Sequence, residues 1–400
     1  MSTLSQRIQS LAESETLAMT RRSRELAAKG HDIVNLSIGQ PDFFTPKFIK
    51  EAAQKAIDDN ITYYPPVAGF KELRQSIAKK LYRDNGLHYD EAQIVVSTGA
   101  KQSLANTVMS LIDPGDEVIV PIPYWVYYRE IIKLAGGKAV FVETSIENDF
   151  KVTTEELEKA ITNKTKLIIF SSPCNPTGSV YSKEELKGMA ELFEKYPEIY
   201  IISDEIYELI NFDGKHESIA QFDNIYDRVI LINGVSKGFA MTGWRLGYLA
   251  ASKEIAKATE KFQGQITSGA SSISQMAAKA ALDAAPDKVE EKDEMLNAFL
   301  KRRNLLLDGL KEIEGFKTNV PAGAFYIFPD VSSLFGKTYE GRPIEDSNQL
   351  ADYLLNEAHV ATVPGTAFGD PKCIRISYAT SEDQLREALN RIAKAVKNLK

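Results

Sequence analysis

The chain has 400 residues, 44% hydrophobic and 26% charged, with 48 basic and 55 acidic side chains and a net charge of −7. This is ordinary globular composition for two or three domains, or one large domain with a smaller companion; the mixed charges exclude the basic face or tail of a nucleic-acid binder. Two distant cysteines (Cys174, Cys373), four scattered histidines (His31, His88, His216, His359) and apolar runs of strand length only exclude a disulfide framework, zinc spacing, a signal peptide and a membrane span.

A cytoplasmic protein with no metal, no membrane and no nucleic-acid partner is therefore expected. Apolar residues at helical spacing begin at Ile49, Ala52, Ala53, Ala56 and Ile57. They recur at Phe70, Leu73, Ile77 and Leu81, where Asn85-Gly86 supplies a stop. Strands are expected at 94–98, 117–121, 139–143, 166–171, 199–203 and 228–233, with helices between them. Two of those helices open on capping boxes, Thr153 with Glu156 and Ser182 with Glu185. Such alternation reads as a mostly parallel sheet covered on both faces, an α/β fold. After about Asp287 the pattern changes. A long charged helix (288–311) precedes strands at 324–328 and 373–379, a helix near 347–357 and a last helix capped by Ser381 with Gln384. This part reads as a smaller α+β domain that packs with the segment before Pro46.

Four unusual stretches each begin where an expected strand ends: STGAKQS after 94–96, SPCNPTG after 167–170, DEIY after 199–202 and NGVSKG after 229–232. Parallel strands share one carboxyl edge, which is where open α/β sheets bind ligands. Singly, each stretch has a bland reading. Gly99-Ala100-Lys101 opens a helix whose free amides suit an anion, or is a plain turn. Asn175-Pro176-Thr177-Gly178 makes a good turn. Asp204 and Tyr207 sit at helical i+3 spacing, where an acid also suits the helix dipole. Lys237, between Ser236 and Gly238, is either solvated or a buried amine with a depressed pKa, able to act as a Schiff-base nucleophile. Arg245 could clamp an anion beside it. Neither dinucleotide-binding nor Walker-type glycine spacing occurs. Residues 234–238, GVSKG, also match the nucleophile elbow of α/β-hydrolases, for which His359 is the only histidine downstream.

Taken in order, Tyr64, Gly99-Ala100-Lys101, Trp125, Asn175-Pro176-Thr177-Gly178, Asp204-x-x-Tyr207, Ser236-Lys237, Arg245 and Arg375 resemble the class I, fold-type-I aminotransferases that depend on pyridoxal 5'-phosphate. The run SKGFAMTGWRLGY, 236–248, is the most specific element, and the likeness covers nearly the whole chain. Within the family the chain looks most like the bacterial thermophile-like aspartate aminotransferase branch, through Gly99-Ala100-Lys101-Gln102.

The resemblance implies a large cofactor-binding domain, 46–290, with a mostly parallel seven-stranded sheet between helices. It implies a small α+β domain made of 1–45 and 291–400. Lys237 would join the cofactor as a Schiff base and then act as the proton-transfer base. Asp204 would pair with the pyridine nitrogen; Asn175 and Tyr207 would bond the ring's phenolic oxygen, and Trp125 would stack on the ring. Gly99, Ala100, Lys101, Ser236 and Arg245 would surround the phosphate, joined by Tyr64 from the other subunit of a homodimer with shared active sites. Arg375 would grip the substrate α-carboxylate, with Gly39, Trp125 and Asn175 nearby, and Lys101 would select a second carboxylate. The implied reaction is ping-pong transfer of the amino group from L-aspartate to 2-oxoglutarate, giving oxaloacetate and L-glutamate, with prephenate as an alternative acceptor. A non-catalytic sensor on the same fold is the remaining alternative; the chain has no room for an appended DNA-binding region.

Overall fold

The computed structural model describes residues 3–13, 15–285 and 289–400. Seven strands form its main sheet: β1 (Ile94–Ser97), β2 (Glu117–Pro121), β3 (Lys138–Val142), β4 (Thr165–Ser171), β5 (Tyr200–Asp204), β6 (Val229–Gly234) and β7 (Gly247–Ala250). Their order is β1, β7, β6, β5, β4, β2, β3. Neighbours from β6 through β5, β4 and β2 to β3 are parallel, whereas β7 is antiparallel to both β6 and β1. Two reversals restore direction, so β1 points the same way as β6. The carboxyl ends of β1, β4, β5 and β6 therefore meet at one edge, together with the amino end of β7.

The central strands are mostly apolar because helices cover both faces, whereas the edge strand β3 is only partly buried. Ile168 and Phe170 of β4 enter a core shared with Ile49, Leu73, Ile77 and Ala277. Leu167 and Ile169, pointing the other way, pack with Leu104, Val108, Ile131 and Ile255. Both capping boxes form, at Thr153 with Glu156 and at Ser182 with Glu185. Gly86 ends the second helical stretch in the left-handed region, φ 72°.

Some sequence expectations change. Ile57 is 52% exposed although its spacing matches the buried Ile49, Ala53 and Ala56. No helix follows Asp204: it ends β5, and residues 206–209 make a turn whose Ile206 amide donates to Asp204 Oδ1 at 3.3 Å. Only short 3₁₀ turns separate β5 from β6. The expected long helix runs Glu290–Lys311; its proposed start at 288 lies outside the described residues. The strands expected at 324–328 and 373–379 shorten to Tyr326–Ile327 and Ile374–Ser377.

The C-terminal strands Val363–Pro364, Ile374–Ser377 and Tyr326–Ile327 form a second sheet, backed by the helices Glu290–Lys311, Ser347–Glu357 and Glu382–Lys397. The N-terminal segment joins this region. Val34–Asn35 pairs with Val360–Ala361, and Met19 packs with Ala351, Leu355 and Ala361. Residues 37–40 continue from this pairing to line the cavity at the carboxyl edge of the main sheet. Among the described residues no helix is long and apolar enough to cross a membrane.

Candidate active site

A cavity of about 590 Å³ opens at that edge. Eleven of the residues singled out in the sequence line it: Gly39, Ala100, Lys101, Trp125, Asn175, Asp204, Tyr207, Ser236, Lys237, Arg245 and Arg375. Each arrives for a topological reason. Asp204 is the last residue of β5, while Ser236 and Lys237 follow the end of β6. Arg245 comes two residues before β7, whose reversed direction returns the chain to the same edge.

Lys237 is half-buried at the cavity. Its Nζ donates to Gly39 O at 2.5 Å. Burial, then the positive charges of Arg375 and Arg245, lowers its pKa from 10.5 to about 7. Asp204 shows the opposite response. Burial raises its pKa to about 6, although Tyr128 Oη donates to its Oδ2 at 2.8 Å. An amine about half of which is neutral near pH 7 faces the same cavity as a carboxyl that readily accepts a cationic neighbour.

Arg375 is buried on Ile374–Ser377. Its Nη1 donates to Asn175 Oδ1 at 3.0 Å and its Nη2 to Ser37 O at 2.8 Å. Its Nε has no partner among the described residues, and no carboxylate pairs with it there. The fork is thus held in place with donor capacity to spare, as a receptor for an incoming carboxylate requires. Tyr326 lies beneath it, ring centroid 4.4 Å from the guanidinium carbon, and shares a 2.8 Å hydrogen bond with Tyr207 Oη.

The anion seat lies at the start of the helix Ala100–Leu111, whose N-cap Gly99 has φ 86°. A Cβ on Gly99 would stand 2.4 Å from Arg245 Nη2, and one on Gly247 would stand 2.2 Å from the Ala100 amide nitrogen. Three chain segments therefore meet with no room for side chains, bringing backbone amides beside a guanidinium.

Gly99 itself stands just outside the lining. Tyr64 lies elsewhere, 97% exposed, beside residues 269–273. Tyr128, Tyr326, Ser37 and the helix residues Thr16, Leu17, Thr20 and Arg24 line the cavity without having been singled out in the sequence. Trp125 and Tyr128 share one loop-to-helix turn, a spacing that could have pointed to Tyr128. The remaining residues carry no local signal. The hydrolase elbow is not supported. No histidine lines the cavity among the described residues, and His359 instead meets His31 at a 45° tilt with ring centroids 4.8 Å apart.

An amine near neutrality, a carboxyl poised against a cation, an amide-and-arginine anion seat and a second fork for a carboxylate could together hold a phosphorylated pyridine aldehyde and an amino acid. Comparisons with known proteins agree. The chain is 47% identical over 399 residues to a bifunctional aspartate aminotransferase and glutamate/aspartate-prephenate aminotransferase of Petunia hybrida, covering 99% of this chain and 83% of that one. It is 45% identical to the aspartate aminotransferase of Bacillus subtilis, with 98% of each chain covered. The structure of the aspartate aminotransferase from Rhizobium meliloti superposes with a TM-score of 0.96 at 40% identity over 100% of both chains. That of Thermus thermophilus with maleate gives 0.93 at 41% identity, over 99% of this chain and 100% of that one. The class I and II aminotransferase profile matches residues 31–392, and with the lysine, acid and two anion seats gathered at one sheet edge the chain is a member of that family.

Proposed function

We propose that the protein is an aspartate aminotransferase, moving the amino group of L-aspartate to 2-oxoglutarate to give oxaloacetate and L-glutamate. Pyridoxal phosphate, which this family uses, supplies the electron sink that lets the bond to the substrate α-hydrogen break. The residues fit that group: the anion seat excludes Cβ atoms, Lys237 is depressed toward neutrality and Asp204 has no cationic hydrogen-bond partner among the described residues.

Lys237 Nζ attaches the cofactor and is the base that moves the proton at the substrate Cα. A pKa near 7 leaves it able both to take and to return that proton at neutral pH. Asp204 would keep the proton on the cofactor's ring nitrogen, and Tyr128 orients its carboxyl. Tyr207 and Asn175 would hold the cofactor's phenolic oxygen, and Trp125 would cover its ring. Arg245, Ser236, Lys101 and the amides of Gly99 and Ala100 would seat the phosphate, joined in a dimer by the partner's Tyr64. Arg375 takes the substrate α-carboxylate beside Gly39. Lys101 also favours a second carboxylate: its ammonium lies 3.1 Å from the Tyr127 ring centroid and 5.4 Å from that of Trp125, and burial lowers its pKa.

The working unit in this reading is a cytoplasmic homodimer. Each chain divides into a large domain, 46–290, and a small one built from 1–45 and 291–400. The half-buried amine of Lys237, lining one cavity with Asp204 and Arg375, is the observation that carries the proposal. Borohydride reduction of the cofactor-saturated protein, followed by peptide mapping, should label Lys237. Lys237→Ala should lose both the label and measurable turnover; a label elsewhere would overturn the assignment. Relatives named for prephenate favour it as a second acceptor. Rates across a panel of amino donors and oxo-acid acceptors decide between the two.

A further inference from the structure

Among the described residues the cavity is lined by five basic side chains, Arg24, Lys101, Lys237, Arg245 and Arg375, against one carboxylate, Asp204. Under the reading above, four have an occupation. Arg375 meets the α-carboxylate, Arg245 the phosphate, Lys237 the cofactor and Lys101 a second carboxylate. Arg24 is left over. It makes no ion pair or side-chain hydrogen bond among the described residues, whereas Arg21 and Arg22 on the same helix are paired with Glu13 and Asp352.

The helix Glu15–Ala28 explains where Arg24 points. One side is fixed: Met19 packs with Ala351, Leu355 and Ala361, and Arg22 meets Asp352 at 2.5 Å. Thr16, Leu17, Thr20 and Arg24 occupy the adjoining arc, at the three-, four- and seven-residue spacings of one helix face, and all four line the cavity. Two hydroxyl groups, one hydrophobic side chain and a guanidinium make this arc part of the ligand's surroundings.

We infer that Arg24 is a second anchor for the distal carboxylate of dicarboxylic substrates, acting with Lys101; the inference rests on the proposed aminotransferase function. The chemistry is complementary. Lys101 is a point charge whose ammonium already sits over the Tyr127 ring, 3.1 Å from its centroid. A guanidinium offers a planar fork that can engage a carboxylate through two donors. Four-carbon and five-carbon dicarboxylates place their second carboxylate at different reach, and a long side chain on a helix can meet both.

Arg24 is exposed and unpaired among the described residues, so Arg24→Gln removes no partner there and should fold as the parent does. In the cofactor-loaded enzyme it should lower kcat/KM for aspartate by roughly three- to tenfold, the range for a partly exposed charge contact, chiefly through KM. The value for alanine should fall less. Binding of succinate, which has no amino group to transfer, should weaken by a similar factor in a direct titration, while binding of propionate holds. Arg24→Lys should recover part of the loss. An unchanged aspartate-to-alanine ratio, or equal losses for succinate and propionate, would overturn the role of Arg24. A parent enzyme with no preference for aspartate over alanine would overturn the function it rests on instead.

Discussion

Replacing Lys237 by methionine should stabilise the cofactor-free protein near pH 6 and lose that advantage near pH 9.5. The folded chain holds this amine at a pKa of about 7, mainly through burial and secondarily through Arg375 and Arg245, against the ordinary value of 10.5 when unfolded. Between those values the unfolded chain binds a proton that the folded chain does not. Stability therefore rises with pH across the window from 7 to 10.5, and below 7 the folded state carries the whole penalty. At 1.36 kcal/mol per unit, the full shift would be worth about 5 kcal/mol. Because the amine borders an open cavity, screening reduces this to ~2 kcal/mol. Methionine also forfeits the hydrogen bond to Gly39 O, which costs about 1 kcal/mol. The variant should thus lead by roughly 1 kcal/mol at pH 6 and draw level at pH 9.5, where most of the charge penalty has gone. Urea unfolding of both cofactor-free proteins at the two pH values measures this directly. A variant less stable at pH 6, or a difference that does not change with pH, would refute the depressed amine.

Tyr128→Phe removes only the hydroxyl that donates to Asp204 at 2.8 Å; it should push the Asp204 pKa further above 6 and reduce kcat by about three- to tenfold, with the loss steepest in acid, read from the pH–rate profile. Arg375→Lys keeps a charge but loses the fork that reaches Asn175 and Ser37, so KM for aspartate should rise by roughly 10- to 100-fold with a smaller change in kcat, measured by steady-state kinetics. Gly247→Ala drives a Cβ against the Ala100 amide; cofactor affinity should fall by about tenfold or more in equilibrium titration, with a loss of roughly 1–3 kcal/mol in stability.

Several features could be read along the chain because their physical causes are local. Thr153 and Ser182 open helices through their own side chains, Gly86 closes one by adopting φ 72°, and the apolar runs of β2 and β4 mark buried strands. The placement of the four unusual stretches at strand ends was equally legible, since a parallel sheet turns that pattern into a shared edge. The local turn at 206–209 was not, because Asp204 and Tyr207 keep helical spacing whether or not a helix forms.

What tertiary structure alone decided is the company each residue keeps. The short segment Gly247–Ala250 carries no sign that it inserts antiparallel between β6 and β1, yet that insertion returns Arg245 to the anion seat. Tyr128, Tyr326 and Arg24 read as ordinary residues until chain segments more than a hundred residues apart surround one cavity. The sequence by itself determined which elements form and which side chains can perform the chemistry. Long-range packing determined which of them are stripped of water, and desolvation is what lowers the Lys237 amine and raises the Asp204 carboxyl.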